Sequence, residues 1–101
     1  MNYKEIVLRT SKTANTDPDT KLLLAALGLA VESGEFTDFI KKNIFHNQEL
    51  DKENMIKKLG DIRWFLEYAA QCLGVSMEEI ESINVAKLRT RYPEEFKEKE
   101  E

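Results

Sequence analysis

The sequence predicts an all-α fold: a single bundle of four helices that assembles as an oligomer. Apolar residues recur at intervals of three and four along most of the chain, which is the helical period. Two Pro and four Gly in 101 residues leave few breaks, and β-branched runs with strict alternation are absent. The length suits one compact domain, and a hydrophobic content of 42% is enough to form a core.

The first helix is expected over roughly Tyr3–Lys12, followed by a polar stretch. Asp17 and Pro18 then begin the second helix, because an acidic N-cap before a proline at the first helical position is a typical start. We expect this helix to reach about Lys42, a length of roughly 37 Å. That is longer than one small domain needs, so the pattern suggests that a partner chain shares the helix.

The third helix is expected from a cap at Asp51 to about Leu73, with Gly74 just beyond its end. Ser76 and Glu79 have the spacing of a capping box and predict the start of the fourth helix.

Pro93 is expected to stop the fourth helix, so residues 1–93 form a single helical domain and residues 94–101 a charged tail. This tail contains five Glu and two Lys and is expected to be solvated and frayed.

Composition excludes several classes of protein. Most of the net charge of −4 lies in the tail, so the body is close to neutral and a strongly basic nucleic-acid binder is disfavoured. A single Cys, Cys72, rules out a disulfide framework and a cysteine-based zinc site. The longest apolar stretch, residues 22–31, is too short to span a bilayer, and no signal peptide is apparent. We therefore expect a cytoplasmic protein that binds neither membrane nor nucleic acid.

Several acidic residues lie on otherwise apolar helix faces. Glu32 and Glu35 follow the apolar stretch and share one face of the second helix, about one turn apart. Asp61 lies within an apolar part of the third helix, and Lys58 precedes it by three residues on the same side. A carboxylate on an apolar face is costly unless a positive group pairs with it.

The fourth helix carries a stripe of hydrogen-bond donors, formed by Asn84, Lys87 and Arg91. Carboxylates that converge in a bundle core commonly hold a divalent metal, and a basic stripe nearby would complement phosphates. The residues alone thus indicate an acidic metal site in a helical bundle. Simpler interpretations remain open: a solvated pair of Glu side chains, a surface ion pair between Lys58 and Asp61, and basic residues that suit the helix dipole.

Glycine and aromatic positions give a further expectation. Gly28 and Gly34 lie within the second helix, where each costs roughly 1 kcal/mol relative to Ala, so they predict close packing or the approach of a ligand. Trp64 and Phe65 are expected in the core rather than as a platform for stacking a base.

The order of these motifs resembles that of the MazG-like nucleotide pyrophosphohydrolases. The resemblance rests on GLAVESGE at 28–35, LGD at 59–61, NVAKL at 84–88 and RYP at 91–93, and it covers nearly the whole chain. It implies an all-α homodimer or homotetramer that hydrolyses nucleoside triphosphates to the monophosphate and pyrophosphate with Mg²⁺, for which Mn²⁺ can substitute.

The resemblance also implies roles for individual residues. Glu32, Glu35 and Asp61 would be the catalytic metal ligands. The substrate-binding residues near the triphosphate would be Asn84, Lys87 and Arg91.

Lys58 departs from the family pattern, because a metal-binding Glu is expected at this position of the ExxD element. An ammonium group has three donors and no acceptor, so it cannot ligate a cation. Three outcomes stay open: one Mg²⁺ retained by the three acids with weaker activity; Lys58 turned outward or binding phosphate in place of the metal; or catalysis lost. We expect a nucleoside triphosphate pyrophosphohydrolase weakened by Lys58, the alternative being a catalytically impaired nucleotide-binding or structural helical oligomer.

Overall fold

The computed structural model describes residues 1–11 and 16–98, and these residues form four α-helices and no strand. The helices are α1 (Tyr3–Thr10), α2 (Pro18–Phe45), α3 (Lys52–Leu73) and α4 (Met77–Arg91), followed by a 3-10 helix (Pro93–Phe96). The predicted all-α class with four helices is confirmed.

The starts of α2, α3 and α4 follow from their caps. In each case the predicted side chain accepts a hydrogen bond from the backbone N–H three residues ahead, which satisfies a donor that the helix itself leaves unpaired. The capping residues are Asp17, Asp51 and Ser76, with donor–acceptor distances of 3.0, 3.2 and 3.1 Å. At the other end of α3, Gly74 has a φ of 70°, a left-handed conformation that glycine adopts without steric cost.

Two helix ends differ from the expectation. The first helix ends at Thr10 with Ser11 as its C-cap, and Lys12 lies outside the described residues. The second helix continues to Phe45 and so passes the predicted end at Lys42. The extra turn lacks any proline or glycine that would stop it.

The segment after α4 begins with a short helix that the sequence does not predict. Pro93 ends the α-helix as predicted, but residues 93–96 then form the 3-10 helix. The Arg89 guanidinium lies over the Phe96 ring, 5.0 Å from its centroid, and holds this turn against α4. Residues 99–101 of the predicted tail lie outside the described part of the chain.

The helices α2 and α3 form an antiparallel hairpin, and α1 lies along α3. The Trp64 indole N–H donates to the Thr10 hydroxyl at 2.8 Å, and the Gln71 side chain donates to the Lys4 carbonyl at 3.1 Å. A small core lies where the three helices meet, with one buried side chain from each. These are Val7, Ala25 and Tyr68, with Trp64, Ala69 and Cys72 packed against them.

Close approach of α2 and α3 depends on Gly28. A Cβ atom at this position would overlap the Phe65 ring, so only glycine lets the ring lie against the helix backbone. The predicted close packing is confirmed at Gly28. At Gly34 a single chain shows no close packing, because apart from its chain neighbours and its own helix backbone none of the described atoms lies within 4 Å of the position that a Cβ would take. The approach of a ligand there remains a prediction.

Helix α4 lies away from the core formed by α1, α2 and α3. Within the described residues it contacts the end of α3 and the 3-10 helix but does not approach α2. The radius of gyration is 17.5 Å, whereas a compact domain of this length has a radius of roughly 13 Å. One chain therefore supplies all four helices of the predicted bundle, and in the part of the chain that the structure describes α1, α2 and α3 share a core that α4 does not join. In the described part of the chain, no helix has a stretch long and apolar enough to cross a membrane.

Candidate active site: an acid–lysine cluster beside an aromatic cavity

Glu32, Glu35, Lys58 and Asp61 meet on one side of the α2–α3 hairpin and are called here the acid–lysine cluster. The Lys58 Nζ lies 2.8 Å from Oε2 of Glu32 and 2.6 Å from Oε2 of Glu35. It lies 3.5 Å from Oδ2 of Asp61 on its own helix. Helical spacing of three places each pair on one face, and the antiparallel hairpin brings the two faces together.

The cluster has an inner and an outer part. The side chains of Lys58 and Glu32 are only 19% and 18% exposed, whereas those of Glu35 and Asp61 are 53% and 56% exposed. The inner ion pair is therefore partly shielded from solvent and salt, and the outer carboxylates remain open to a ligand arriving from solution.

Hydrogen bonds from Lys58 to Glu32 and Glu35 raise the pKa of the Lys58 ammonium well above its ordinary value. Because the folded pKa is raised, the stabilising contribution of the ammonium form is fully present below the unfolded pKa of about 10.4. It is lost only as the pH rises beyond that value and through the folded pKa. At neutral pH Lys58 is thus a permanent positive charge among three acidic groups.

The structure brings the three predicted acids together, but around an ammonium group. As the side chains lie, Glu32, Glu35 and Asp61 do not fit a divalent cation at their meeting point, because the Lys58 Nζ stands there. Across residues 1–11 and 16–98, no group of three or more His, Cys, Asp or Glu is arranged to hold a metal ion. The roles of the three acids as metal ligands and catalytic residues remain predictions.

The predicted substrate-binding stripe lies elsewhere. Asn84, Lys87 and Arg91 are all exposed on α4, which does not approach α2 in the described part of the chain. A single chain does not bring these donors to the acid–lysine cluster, and their role also remains a prediction. Lys58, the fourth predicted substrate-binding residue, is the one that lies within the cluster.

Sequence reasoning missed a cavity of about 380 Å³ between α1, α2 and α3. Its aromatic wall consists of Trp64, Phe65 and Tyr68. The Trp64 and Tyr68 rings stack with centroids 5.4 Å apart, and Phe65 meets Trp64 edge-on at 5.0 Å. Glu32 lines the cavity as well as joining the cluster, so the two features are continuous.

The signal for this cavity was present but ambiguous. Aromatic residues at 64, 65 and 68 satisfy the helical period of a core face, and this pattern predicts Trp64 and Phe65 in the core. Both are in fact only partly buried. Their side chains pack on the hairpin and at the same time wall an open cavity, a distinction that helical periodicity cannot make.

The fold and this cluster together define an all-α protein with acids converging from two paired helices. The model of the MazG nucleotide pyrophosphohydrolase domain matches residues 20–96, which include α2 from its third residue onward, all of α3 and α4, and the whole acid–lysine cluster. The chain belongs to the MazG nucleotide pyrophosphohydrolase family. Searches of curated proteins and of solved structures find no significant match.

Proposed function

We propose that this chain binds nucleoside triphosphates and hydrolyses them to the nucleoside monophosphate and pyrophosphate, at a rate lowered by Lys58. The observation that carries the proposal is the junction of the acid–lysine cluster with the aromatic cavity, inside the region that matches the family. Acidic groups for the chemistry thus lie directly beside a site that suits a base.

The cavity supports a nucleotide as the substrate class. Its volume of about 380 Å³ is ample for a nucleobase. Stacking of a base on an aromatic ring is worth about 1–3 kcal/mol and tolerates any base. Thr10 and Ser11 also line the cavity. Their hydroxyl protons are donated to the Ile6 and Leu8 carbonyls, so toward a base or a sugar these oxygens serve as acceptors. A base held there would place its phosphates toward Glu32 and the rest of the cluster.

In the proposed reaction, water attacks the α-phosphorus. A new P–O bond forms, and the bond from that phosphorus to the bridging oxygen breaks, so that pyrophosphate leaves. We assign Glu35 as the group that accepts the proton of the water, because its carboxylate is more than half exposed while that of Glu32 is mostly covered. Lys58 supplies positive charge beside this carboxylate.

Family members generally depend on a divalent metal, and the notable feature of this chain is the ammonium at the centre of its acids. Lys58 adds one positive charge to three acidic groups and donates hydrogen bonds to the carboxylates of Glu32 and Glu35. These oxygens are then less available to bind a cation or to accept a proton. This is the physical reason for expecting a low rate.

Assembly as a homodimer or homotetramer is part of the proposal. Many large apolar side chains are exposed in one chain, among them Leu27 at 53%, Ile56 at 58% and Ile83 at 69%. Burial of such surface is the main driving force for association. Association would also allow the α4 of one copy to bring Lys87 and Arg91 near the cluster of another, where they would bind phosphate oxygens.

The proposal is tested by measuring pyrophosphate release from a panel of ribo- and deoxynucleoside triphosphates with Mg²⁺ or Mn²⁺. We expect slow pyrophosphate release by the natural sequence and release roughly tenfold faster by Lys58→Glu. A tenfold change in rate corresponds to about 1.4 kcal/mol of transition-state stabilisation. Lys57→Glu is the matched control: Lys57 is the neighbouring lysine, exposed and outside the cluster. Absence of release from both the natural sequence and Lys58→Glu would contradict the proposal.

A second candidate function is nucleotide binding without turnover, which the central position of Lys58 favours. It predicts that a nucleoside triphosphate raises the melting temperature while no pyrophosphate is formed. Release by Lys58→Glu but not by the natural sequence would support this candidate over the first. If neither binding nor release is seen, the chain is a structural helical oligomer.

A further inference from the structure

Lys58 has the position and bonding of a bound cation. Its Nζ lies within 3.5 Å of one oxygen from each of three carboxylates, two of them on the opposite helix. An ammonium group has three N–H donors, so the number of carboxylates around it matches its bonding capacity. The same point between the acids would be the natural place for a hard metal ion.

The surroundings of Lys58 make its displacement costly. The Lys58 side chain is 19% exposed and that of its partner Glu32 is 18% exposed. Water would therefore poorly replace the contacts that Lys58 loses on leaving. The hydrogen bonds to Glu32 and Glu35 would both have to break before the ammonium could leave. A divalent cation entering beside the ammonium would meet a like charge at close range in a partly shielded place.

We propose that Lys58 is the resident cation of the cluster, and that the acids of the nucleotide-free protein consequently take up no Mg²⁺ or Mn²⁺. The ammonium joins α2 to α3 as a metal ion would, so the hairpin is stable without added metal. The inference concerns the same site as the proposed function but does not require turnover. A chain that only binds nucleotide would behave in the same way.

The test uses the full-length chain, treated with chelator and then titrated with MnCl₂ or MgCl₂ without nucleotide. Bound Mn²⁺ is counted from the loss of the free-ion signal in electron paramagnetic resonance, and melting temperature is measured in parallel. For the natural sequence we expect no saturable Mn²⁺ binding and an unchanged melting temperature. For Lys58→Glu, in which a fourth carboxylate replaces the cation, we expect a lower melting temperature in chelator, restored by Mn²⁺, and about one bound ion.

Lys57→Glu controls for the change in net charge, since it makes the same substitution one position away in an exposed pair with Glu53. It is expected to bind no Mn²⁺. If Lys58→Glu does not fold in chelator, Lys58→Gln, which removes the charge without adding a carboxylate, is used for the Mn²⁺ titration. It is expected to show saturable Mn²⁺ binding at concentrations where the natural sequence shows none, because the like charge at the meeting point of the acids is gone.

Two results would overturn the inference. One is saturable Mn²⁺ binding by the natural sequence with an affinity similar to that of the Lys58 variants. The other is absence of binding by the natural sequence and by every Lys58 variant, which would mean that Lys58 is not what excludes the metal. Neither result depends on pyrophosphate release, so failure here is distinguishable from failure of the proposed function.

Discussion

The α2–α3 hairpin and α4 differ in how far a single chain completes them. In the hairpin, Phe65 lies against Gly28, and Lys58 is bonded across to two acids of the facing helix. Helix α4 has no buried residue and keeps its predicted phosphate-binding stripe exposed. Within the described residues, the hairpin therefore already has a close helix contact and an enclosed ammonium, while α4 keeps its basic stripe exposed. Both regions keep large apolar side chains exposed, among them Leu27 and Ile56 on the hairpin and Ile83 on α4.

The comparison predicts that the largest effect on stability comes from the hairpin. We expect Gly28→Ala to destabilise the protein by about 1–3 kcal/mol, because the added methyl group forces the Phe65 ring out of its place. The control is Gly34→Ala in the same helix, where space is open. It is expected to raise stability by up to about 1 kcal/mol through helix propensity.

Chemical denaturation of the two variants measures this difference directly. Equal stability of Gly28→Ala and the natural sequence would mean that the ring moves aside freely, and that the hairpin is less tightly packed than its geometry indicates. A destabilised Gly34→Ala would mean instead that another chain packs closely at that position.

A second, smaller effect is predicted for α4, on binding rather than on stability. Lys87→Ala and Arg91→Ala are each expected to weaken nucleoside triphosphate binding about tenfold, since each removes a charge-assisted hydrogen bond to phosphate. Both should leave unfolding free energy within about 0.5 kcal/mol, because the two side chains are exposed. Titration calorimetry with a slowly hydrolysed triphosphate analogue measures the affinity.

Arg89→Ala is the matched control on the same helix, because Arg89 lies off the stripe and contacts Phe96. Its affinity for the analogue should be unchanged. A loss of affinity as large in Arg89→Ala as in Lys87→Ala would assign the effect to general positive charge, and the stripe would lose its proposed role.

The smallest predicted effect concerns the apolar side of α4. If a second copy covers Ile83, Ile83→Ser should raise the dissociation constant of the assembly roughly fivefold, an amount of about 1 kcal/mol that fits partial loss of one buried side chain. Glu81→Ser, which changes an exposed polar residue of the same helix, should leave it unchanged. Sedimentation over a range of concentrations checks both variants. A monomeric natural sequence would exclude the proposed assembly.

Local features of the chain were predictable to within a few residues. The caps Asp17, Asp51 and Ser76 were found from short polar signals, since a cap acts on a backbone N–H only three residues away. The position of Glu32 and Glu35 on one face of α2 follows from their spacing of three residues. The predicted end of α2 at Lys42 is too early, since the helix continues to Phe45. Lysines are favourable near the end of a helix, but they do not stop it.

The candidate site was only half predictable. The sequence predicts Glu32, Glu35, Lys58 and Asp61 as candidates, and it leaves open whether Lys58 points toward the acids or away from them. The inward orientation depends on the distance between two helices and on which carboxylates lie within reach of a flexible side chain. The cavity beside Trp64 was not predicted, because aromatic residues at helical spacing are equally compatible with a closed core.

By itself, the sequence determined the four helices, three of their starting caps and the family, because all of these depend on neighbours along the chain or on the order of short motifs. Only the tertiary structure decided that Lys58 stands between the acids, that a cavity opens next to Glu32, and that α4 lies away from both. These three features depend on contacts between residues far apart in sequence. Such contacts are set by how whole helices pack, and helical periodicity within one segment carries no information on that packing.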